Sequence, residues 1–486
     1  MPSSLPRSTP ADEGVEPASI LSFLDALDER RDIEMHSLMV VRHGRVVAEG
    51  WWAPYGAGRP QLIYSLSKSF TATAAAFAQA EGLLDLDDTV VSHFAEFAAD
   101  ISHPRSRSVK VRHIASMASG HTRETIDEAL RLDPEEPVRG FLLTPPDRDP
   151  GTVFAYNQPC TYTLASIIQR NAGMPLTRYL RPRLFDPLGI GHVGWHTFPP
   201  GREQGFSGLH ARTEDIAKLG LLYLQQGQWD GTQLIPKQWV TDATSVQVSN
   251  PGEPNLDWQQ GYGFQFWMSR HGYRGDGAFG QFCVILPAQD AVIVTTAYTF
   301  DMQAMLDAMW THLLPGLGTA SRGTASTHDQ LVARLARLEL PASAGAPAPD
   351  DWDPWTSGPF TITASTTDAQ PQPFLPTETF LTSIQFAPRT EGWQISLIEL
   401  GNALTFPVGS GGWTVSDHAD LHGDTIPVAA SGGWLDDQTL RAEVIFLETP
   451  HRMDITCSLP GRTAEAVWRC HPPLDPGKLE QLHCPG

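Results

Sequence analysis

The pattern of apolar residues changes character once along this chain, and the change limits what the chain can fold into. Up to about residue 316, helical and strand-like stretches alternate. ILSFLDALDERR (20–31) places its apolar residues at helical spacing. HSLMVVRHGRVVAEGWW (36–52) holds two β-branched runs around His43-Gly44 and predicts a hairpin. Helix-like segments follow from Ser65, around 110–119, at 158–172 and at 213–227. GYGFQFWM (261–268), QFCVILP (281–287) and AVIVTTAY (291–298) read as strands, and MQAMLDAMWTHLL (302–314) as a closing helix. This order predicts an α+β domain: an antiparallel sheet flanked by helices, with a large helical insertion. Beyond roughly residue 350 the pattern is different. WQISLIEL, AEVIFLE and EAVWRC alternate and are split by Gly, Pro and Asn, which predicts a small all-β domain. GTASRGTAS and PASAGAPAPDDWDP read as linker, with DQLVARLARLEL as a short helix between them. The expected organisation is therefore a first domain over 1–317, a linker over 318–350 and a β-rich domain of unknown role over 351–486. A length of 486 residues, too great for one ordinary core, agrees with two domains.

Composition excludes some functions. The formal net charge of -21 opposes binding to nucleic acid or to an anionic membrane, so neither is an expected partner. MPSSLPRSTPADEGVEP has no apolar signal core, and no apolar run approaches membrane-spanning length. Five scattered cysteines (Cys160, Cys283, Cys457, Cys470, Cys484) show no CxxC spacing. Together these features predict a cytoplasmic protein with free thiols. No zinc-ligand spacing and no HExxH is present, so neither a metal nor an organic cofactor is expected.

Lysine is scarce. Only Lys68, Lys110, Lys218, Lys237 and Lys478 occur among 34 basic residues. Lys68 stands in YSLSKSF, three residues after Ser65 and just before the alanine-rich run TATAAAFAQAEGLL. A helix starting near Ser65 puts both side chains one turn apart on one face. Its positive end stabilises an attacking alkoxide, and a neutral amine nearby accepts the serine proton. Arginine cannot do this, because it does not give up its proton. S-x-x-K alone also describes a serine helix cap beside a surface lysine, so the surrounding sequence matters.

The passage HSLMVVRHGRVVAEGWWAPYGAGRPQLIYSLSKSFTATAAAFAQAEGLLDLDDTV resembles the serine β-lactamase and penicillin-binding-protein superfamily. It is most similar to the class C-like serine hydrolases, which include esterases, D-aminopeptidases and 6-aminohexanoate-dimer hydrolases. S-x-x-K is itself a signature of such enzymes. VRHIASMASGH (111–121), FAYNQPCTYTLASIIQRNAG (154–173), GLHARTEDIAKLGLLYLQQGQWDGTQLIP (208–236) and GDGAFGQFCVILP (275–287) continue the resemblance in consistent order. Tyr156 matches the tyrosine of the family's Tyr-x-Asn element. Gln158 stands where Asn is usual, and Asp276 where Lys or His is expected.

The resemblance implies a β-lactamase/transpeptidase-like fold and a serine hydrolase acting on a small ester or amide. Ser65 would be acylated, Lys68 or Tyr156 would take its proton, and the backbone N–H groups of Ser65 and Phe279 would form the oxyanion hole. Gln158, Asp276, Gly277, Tyr262 and Trp267 are the candidate substrate contacts. An Asp at 276 would repel a substrate carboxylate, which argues against a β-lactam and toward a neutral or amine-bearing substrate. Tyr156 beside two cations would have a depressed pKa. The alternatives are a D-specific aminopeptidase or amidase, a β-lactamase, and a catalytically silent homologue that binds peptide or glycan. GDGAFG also spells G-x-G-x-x-G, but a strand pattern follows it where a dinucleotide site needs a helix. Its glycines more readily let a sheet edge approach substrate. No sequence feature specifies an oligomeric state.

Overall fold

The computed structural model describes residues 4–318, 324–364, 381–419, 425–469 and 479–486; Cys470 and Lys478 lie outside them. After helix α1 (Pro17–Asp28), strands β1 (Glu34–Arg42) and β2 (Arg45–Trp51) form the expected hairpin. His43 and Gly44 both have positive φ, the conformation a two-residue hairpin needs to match strand twist. Far downstream, β3 (Trp267–Met268), β4 (Tyr273–Gly277), β5 (Gln281–Leu286) and β6 (Ala291–Tyr298) complete a six-stranded sheet. Its order is β3-β4-β5-β6-β1-β2. β3–β4, β4–β5, β5–β6 and β6–β1 all pair antiparallel. Only the last two residues of GYGFQFWM are strand, because Gly261 and Gln265 turn to positive φ and break the extended run.

The long connection between β2 and β3 carries the helices. α2 (Ser67–Ala80) is buried from Ser67 to Ala78. Small alanine side chains let other elements pack around its whole circumference. α3 (Ile126–Leu132), α4 (Gln158–Ala172) and α5 (Thr213–Leu224) follow. α4 packs on α2, and α5 lies on β1, β5 and β6. Gly220 sets the last approach: a Cβ there would come within 2.6 Å of Val292 and 2.8 Å of Cys283. Cys160, Cys283 and Cys457 are buried free thiols. Among the described residues no helix is long and apolar enough to cross a membrane.

The chain does not divide at one point. One compact unit comprises residues 1–50 and 63–337; the other comprises Trp51–Leu62 and Leu338–Gly486. The contiguous division expected at 317 and 351 is replaced by an interleaved one. The short helix expected within 318–350 is α6 (Ala325–Leu335), and it packs on α1 in the first unit.

Among the described residues the second unit is built on one nine-stranded sheet. Its order is Asn402–Val408, Trp393–Glu399, Leu381–Pro388, Phe360–Ala364, Thr463–Trp468, Arg452–Ser458, Thr439–Phe446, Thr425–Asp436, Thr414–Ala419. Gly409 bridges Ser431, so the sheet curls toward closure. Trp355, Trp393, Trp434 and Trp468 fill its core with Phe360, Phe386 and Phe406. Trp434 meets Trp355 at 5.6 Å and Trp393 at 5.2 Å between ring centroids. These indoles are packing, as residues at alternate positions of small β domains usually are.

Segment 51–62 is held by this unit. Ala53 N–H donates to Leu338 O (3.0 Å), and Leu340 N–H donates to Ala53 O (2.7 Å). Leu62 N–H donates to Glu448 O at 2.8 Å, and the Gln61 amide donates to Leu447 O. The Tyr55 hydroxyl donates to Thr449 O at 3.2 Å. A chain ending at Arg337 loses every one of these acceptors and donors. At about 1 kcal/mol per hydrogen bond, these five contribute on the order of 5 kcal/mol to holding 51–62 in the second unit. In the truncated chain the amides of Ala53 and Leu62 should therefore lose their protection from hydrogen exchange; unchanged protection of both would refute it.

Candidate active site

The turn that carries Ser65 is built by its neighbours. Tyr64–Leu66 forms a 3₁₀ turn ahead of α2, so Ser65 sits two residues before the α-helix rather than within it. Side chains three apart eclipse one another in 3₁₀ geometry, which brings Ser65 and Lys68 together. Tyr64 adopts φ +49, in the left-handed region. The Ser67 hydroxyl ties the turn down, donating to Tyr64 O (2.5 Å) and accepting Leu209 N–H (3.1 Å).

Lys68 is 1% exposed. Its Nζ lies 3.0 Å from Ser65 Oγ, 2.7 Å from Gln158 Oε1 and 2.8 Å from Phe206 O. It also stands 4.7 Å from the centre of the Tyr156 ring. Burial pulls the Lys68 pKa down to about 7, against the opposing pull of Glu124 and then Asp276. Near neutral pH the amine is therefore free in a large fraction of molecules.

Tyr156 and Gln158 come from the start of α4, where Asn157 is the N-cap residue and Pro159 fits the first turn. The Tyr156 ring stacks on Trp267 (5.3 Å between centroids) and meets Tyr262 edge-on at 6.3 Å. The Ser65 hydroxyl is near enough to favour the ionised form of this ring. Burial pushes Tyr156 up, and the Asp276 carboxylate adds to this, so it lies above the ordinary phenol range. The expected depression is reversed: Arg274, the cation that lowers it, gives less than desolvation takes away. Tyr156 is a neutral hydroxyl here.

The candidate substrate contacts divide. Gln158 turns its amide oxygen to Lys68. Tyr262 is 1% exposed and Trp267 5%, and both rings pack on the Tyr156 ring. Asp276 is not a lone carboxylate. Arg274, two residues earlier on the same face of β4, donates to it from Nε at 3.1 Å. That guanidinium is fully buried, lies 4.2 Å over Trp258 and also donates to Ser269 Oγ and Asp257 O. Burial raises the Asp276 pKa while Arg274 opposes the rise. Arg274 offsets the Asp276 charge, so the expectation that Asp276 selects amine-bearing substrates loses much of its electrostatic basis.

Gly275 and Gly277 serve a close approach to the turn that carries Ser65. A Cβ on Gly277 would run into Ile63 O, and one on Gly275 into the side chains of Leu66 and Ser69. β4 is thereby pressed against the residues flanking Ser65. Just beyond it, Phe279 adopts φ +70 and meets Tyr64 edge-on at 5.2 Å. Among the described residues no group of three or more His, Cys, Asp or Glu could hold a metal ion.

Three participants were not anticipated. Phe206 contributes its carbonyl, for which no side-chain signal exists, and its ring centre lies 5.9 Å from Lys68 Nζ. Arg274 was readable, since R-x-D on a strand puts both groups on one face. Glu124 stands in TRETID, just before α3, and accepts the backbone N–H of Gln158 (2.9 Å), Thr125 (2.8 Å) and Ile126 (2.9 Å). An acid just before a helix is an ordinary capping signal, which gives no hint of its place near Lys68.

A family model described as Beta-lactamase matches residues 22–315 of the chain. A 6-aminohexanoate-dimer hydrolase from Paenarthrobacter ureafaciens is 23% identical over 315 residues, spanning 59% of this chain and 79% of that protein. Esterase EstB from Burkholderia gladioli is 26% identical over 217 residues, 39% of this chain and 55% of that protein. The crystal structure of a putative beta-lactamase from Bacteroides dorei DSM 17855 superposes with TM-score 0.52 at 14% identity. It covers 62% of this chain and 99% of that one.

Proposed function

This chain belongs to the beta-lactamase family, and from that premise we propose that it is a serine hydrolase cleaving a small ester or amide through an acyl-enzyme on Ser65. The observation that carries this reading is the contact of Ser65 Oγ with a buried lysine whose pKa lies at about 7.

The steps follow from the geometry. Ser65 Oγ bonds to the substrate carbonyl carbon while its proton passes to the free amine of Lys68. The carbonyl electron pair moves onto oxygen, opposite the backbone N–H groups of Ser65 and Phe279. The C–O or C–N bond of the substrate then breaks, and the leaving group takes a proton from Lys68. The neutral Tyr156 hydroxyl beside Ser65 is suited to hand on that proton rather than to take the first one. Water repeats the sequence on the acyl-enzyme, with Lys68 again accepting and returning a proton, and the carboxylic acid leaves. Gln158 and Phe206 O hold Lys68 in line throughout. A cytoplasmic location belongs to the same reading.

An amide substrate is the second form of the proposal. It is favoured by the 6-aminohexanoate-dimer hydrolase, whose similarity extends over 79% of its own length. Rates on p-nitrophenyl esters and on D- and L-aminoacyl p-nitroanilides separate the two. On either substrate class, Ser65→Ala should lower turnover by about 10³-fold or more. Wild-type turnover in Ser65→Ala would overturn the proposal.

A further inference from the structure

Lys68 sits in a cage whose outer wall is an acid. Gln158 is the link: its side-chain oxygen accepts from Lys68 Nζ at 2.7 Å, and its backbone N–H donates to Glu124 Oε2 at 2.9 Å. Glu124 is itself fixed, since it also accepts the N–H groups of Thr125 and Ile126 at the start of α3. One carboxylate thus joins the N-terminal ends of α3 and α4, where partial positive charge favours an anion. Among the groups around Lys68, Ser65, Tyr156 and Cys160 are neutral and Asp276 is paired with Arg274. Cys160 in particular is held as a thiol, its pKa pushed up to about 12 by burial. Among the described residues the hydrogen-bond partners of Glu124 are backbone N–H groups, with no cation paired to it.

We infer that Glu124 is a positioning residue for Lys68: it anchors Gln158 against the lysine and supplies the countercharge when Lys68 takes the Ser65 proton. The inference rests on the reading of Lys68 as the base. A charge-separating transfer in a dry site needs such a countercharge already in place. The proton moves from Ser65 Oγ to Nζ, and Glu124 keeps its own protons unchanged. Burial raises the Glu124 pKa, while its backbone donors and then the Lys68 charge oppose the rise. The two groups are thus coupled from both sides.

The small number of lysines makes a direct test available. In protein labelled with ¹³Cε-lysine, five signals are expected, and the Lys68 signal is the one absent from Lys68→Arg. Wild type should titrate near pH 7 at Lys68. In Glu124→Gln the attraction for the lysinium is gone, so the midpoint should fall by roughly one pH unit. Glu124→Asp keeps the charge a methylene away and should shift the midpoint in the same direction by less, which keeps the test open if the Gln variant does not fold. The rising limb of kcat/KM should move with the midpoint, whereas a merely structural role would lower the rate and leave the limb in place. One Lys68 midpoint common to all three proteins overturns the inference. A shifted midpoint in a protein whose turnover does not need Ser65 would overturn the proposed function and leave the coupling standing.

Discussion

Lys68→Arg is expected to lower acylation of the enzyme by about 10³-fold at pH 8, within the range that general-base catalysis supplies. The reason is protonation, not size alone. A guanidinium keeps its proton at any working pH, so it cannot accept one from Ser65. Wild-type Lys68 can, because burial brings its pKa down to about 7. The sign of the pH dependence follows. The free amine is the active form, so kcat/KM should rise about tenfold per pH unit below 7 and level off above it. In Lys68→Arg the residual rate should lack that limb. An arginine variant with near-normal acylation, or a wild type whose rate falls as pH rises through 7, would place the base elsewhere.

Gly277→Ala should cost about 10²-fold in kcat/KM, although it adds one methyl group. The backbone at Gly277 is ordinary extended chain (φ -129), so alanine can adopt it without strain. The obstacle is the carbonyl oxygen of Ile63, into which the new Cβ would run. That carbonyl belongs to the turn two residues before Ser65, and Leu66 N–H already donates to it at 3.1 Å. Moving β4 away shifts Phe279, and moving the turn shifts Ser65; either displaces reacting groups. Gly275→Ala meets only the side chains of Leu66 and Ser69, which can rotate, and should cost less. Kinetics of the two variants side by side check the order. Equal activities, or a worse Gly275 variant, would show that the strand and the turn are not locked together at Gly277.

What could be read in advance was local. The hairpin at His43-Gly44 announces itself by two β-branched runs and a turn dipeptide within 17 residues (36–52). Ser65 and Lys68 are three residues apart, so one turn of backbone settles their meeting. What brings Gln158 and Phe206 O to the same lysine is tertiary. They come from 90 and 138 residues away, and the second is a backbone atom. Asp276 shows a different limit. Its charge was read without its partner, although strand periodicity places Arg274 beside it. Tyr156 was misjudged because counting nearby cations ignores desolvation, and here desolvation is the larger effect. The interleaving of the two units was hidden for another reason. Trp51, Trp52 and Tyr55 mark 51–62 as apolar, but no periodicity states which core receives them.

The claim on which the rest depends is that Ser65 carries the acyl group. Brief mixing with p-nitrophenyl butyrate, followed by acid quench, digestion and mass analysis, tests it most directly. A burst of nitrophenolate with one butyryl group on the peptide containing Tyr64–Lys68, absent from Ser65→Ala, is the predicted result. A butyryl group on any other residue, persisting in Ser65→Ala, would contradict it.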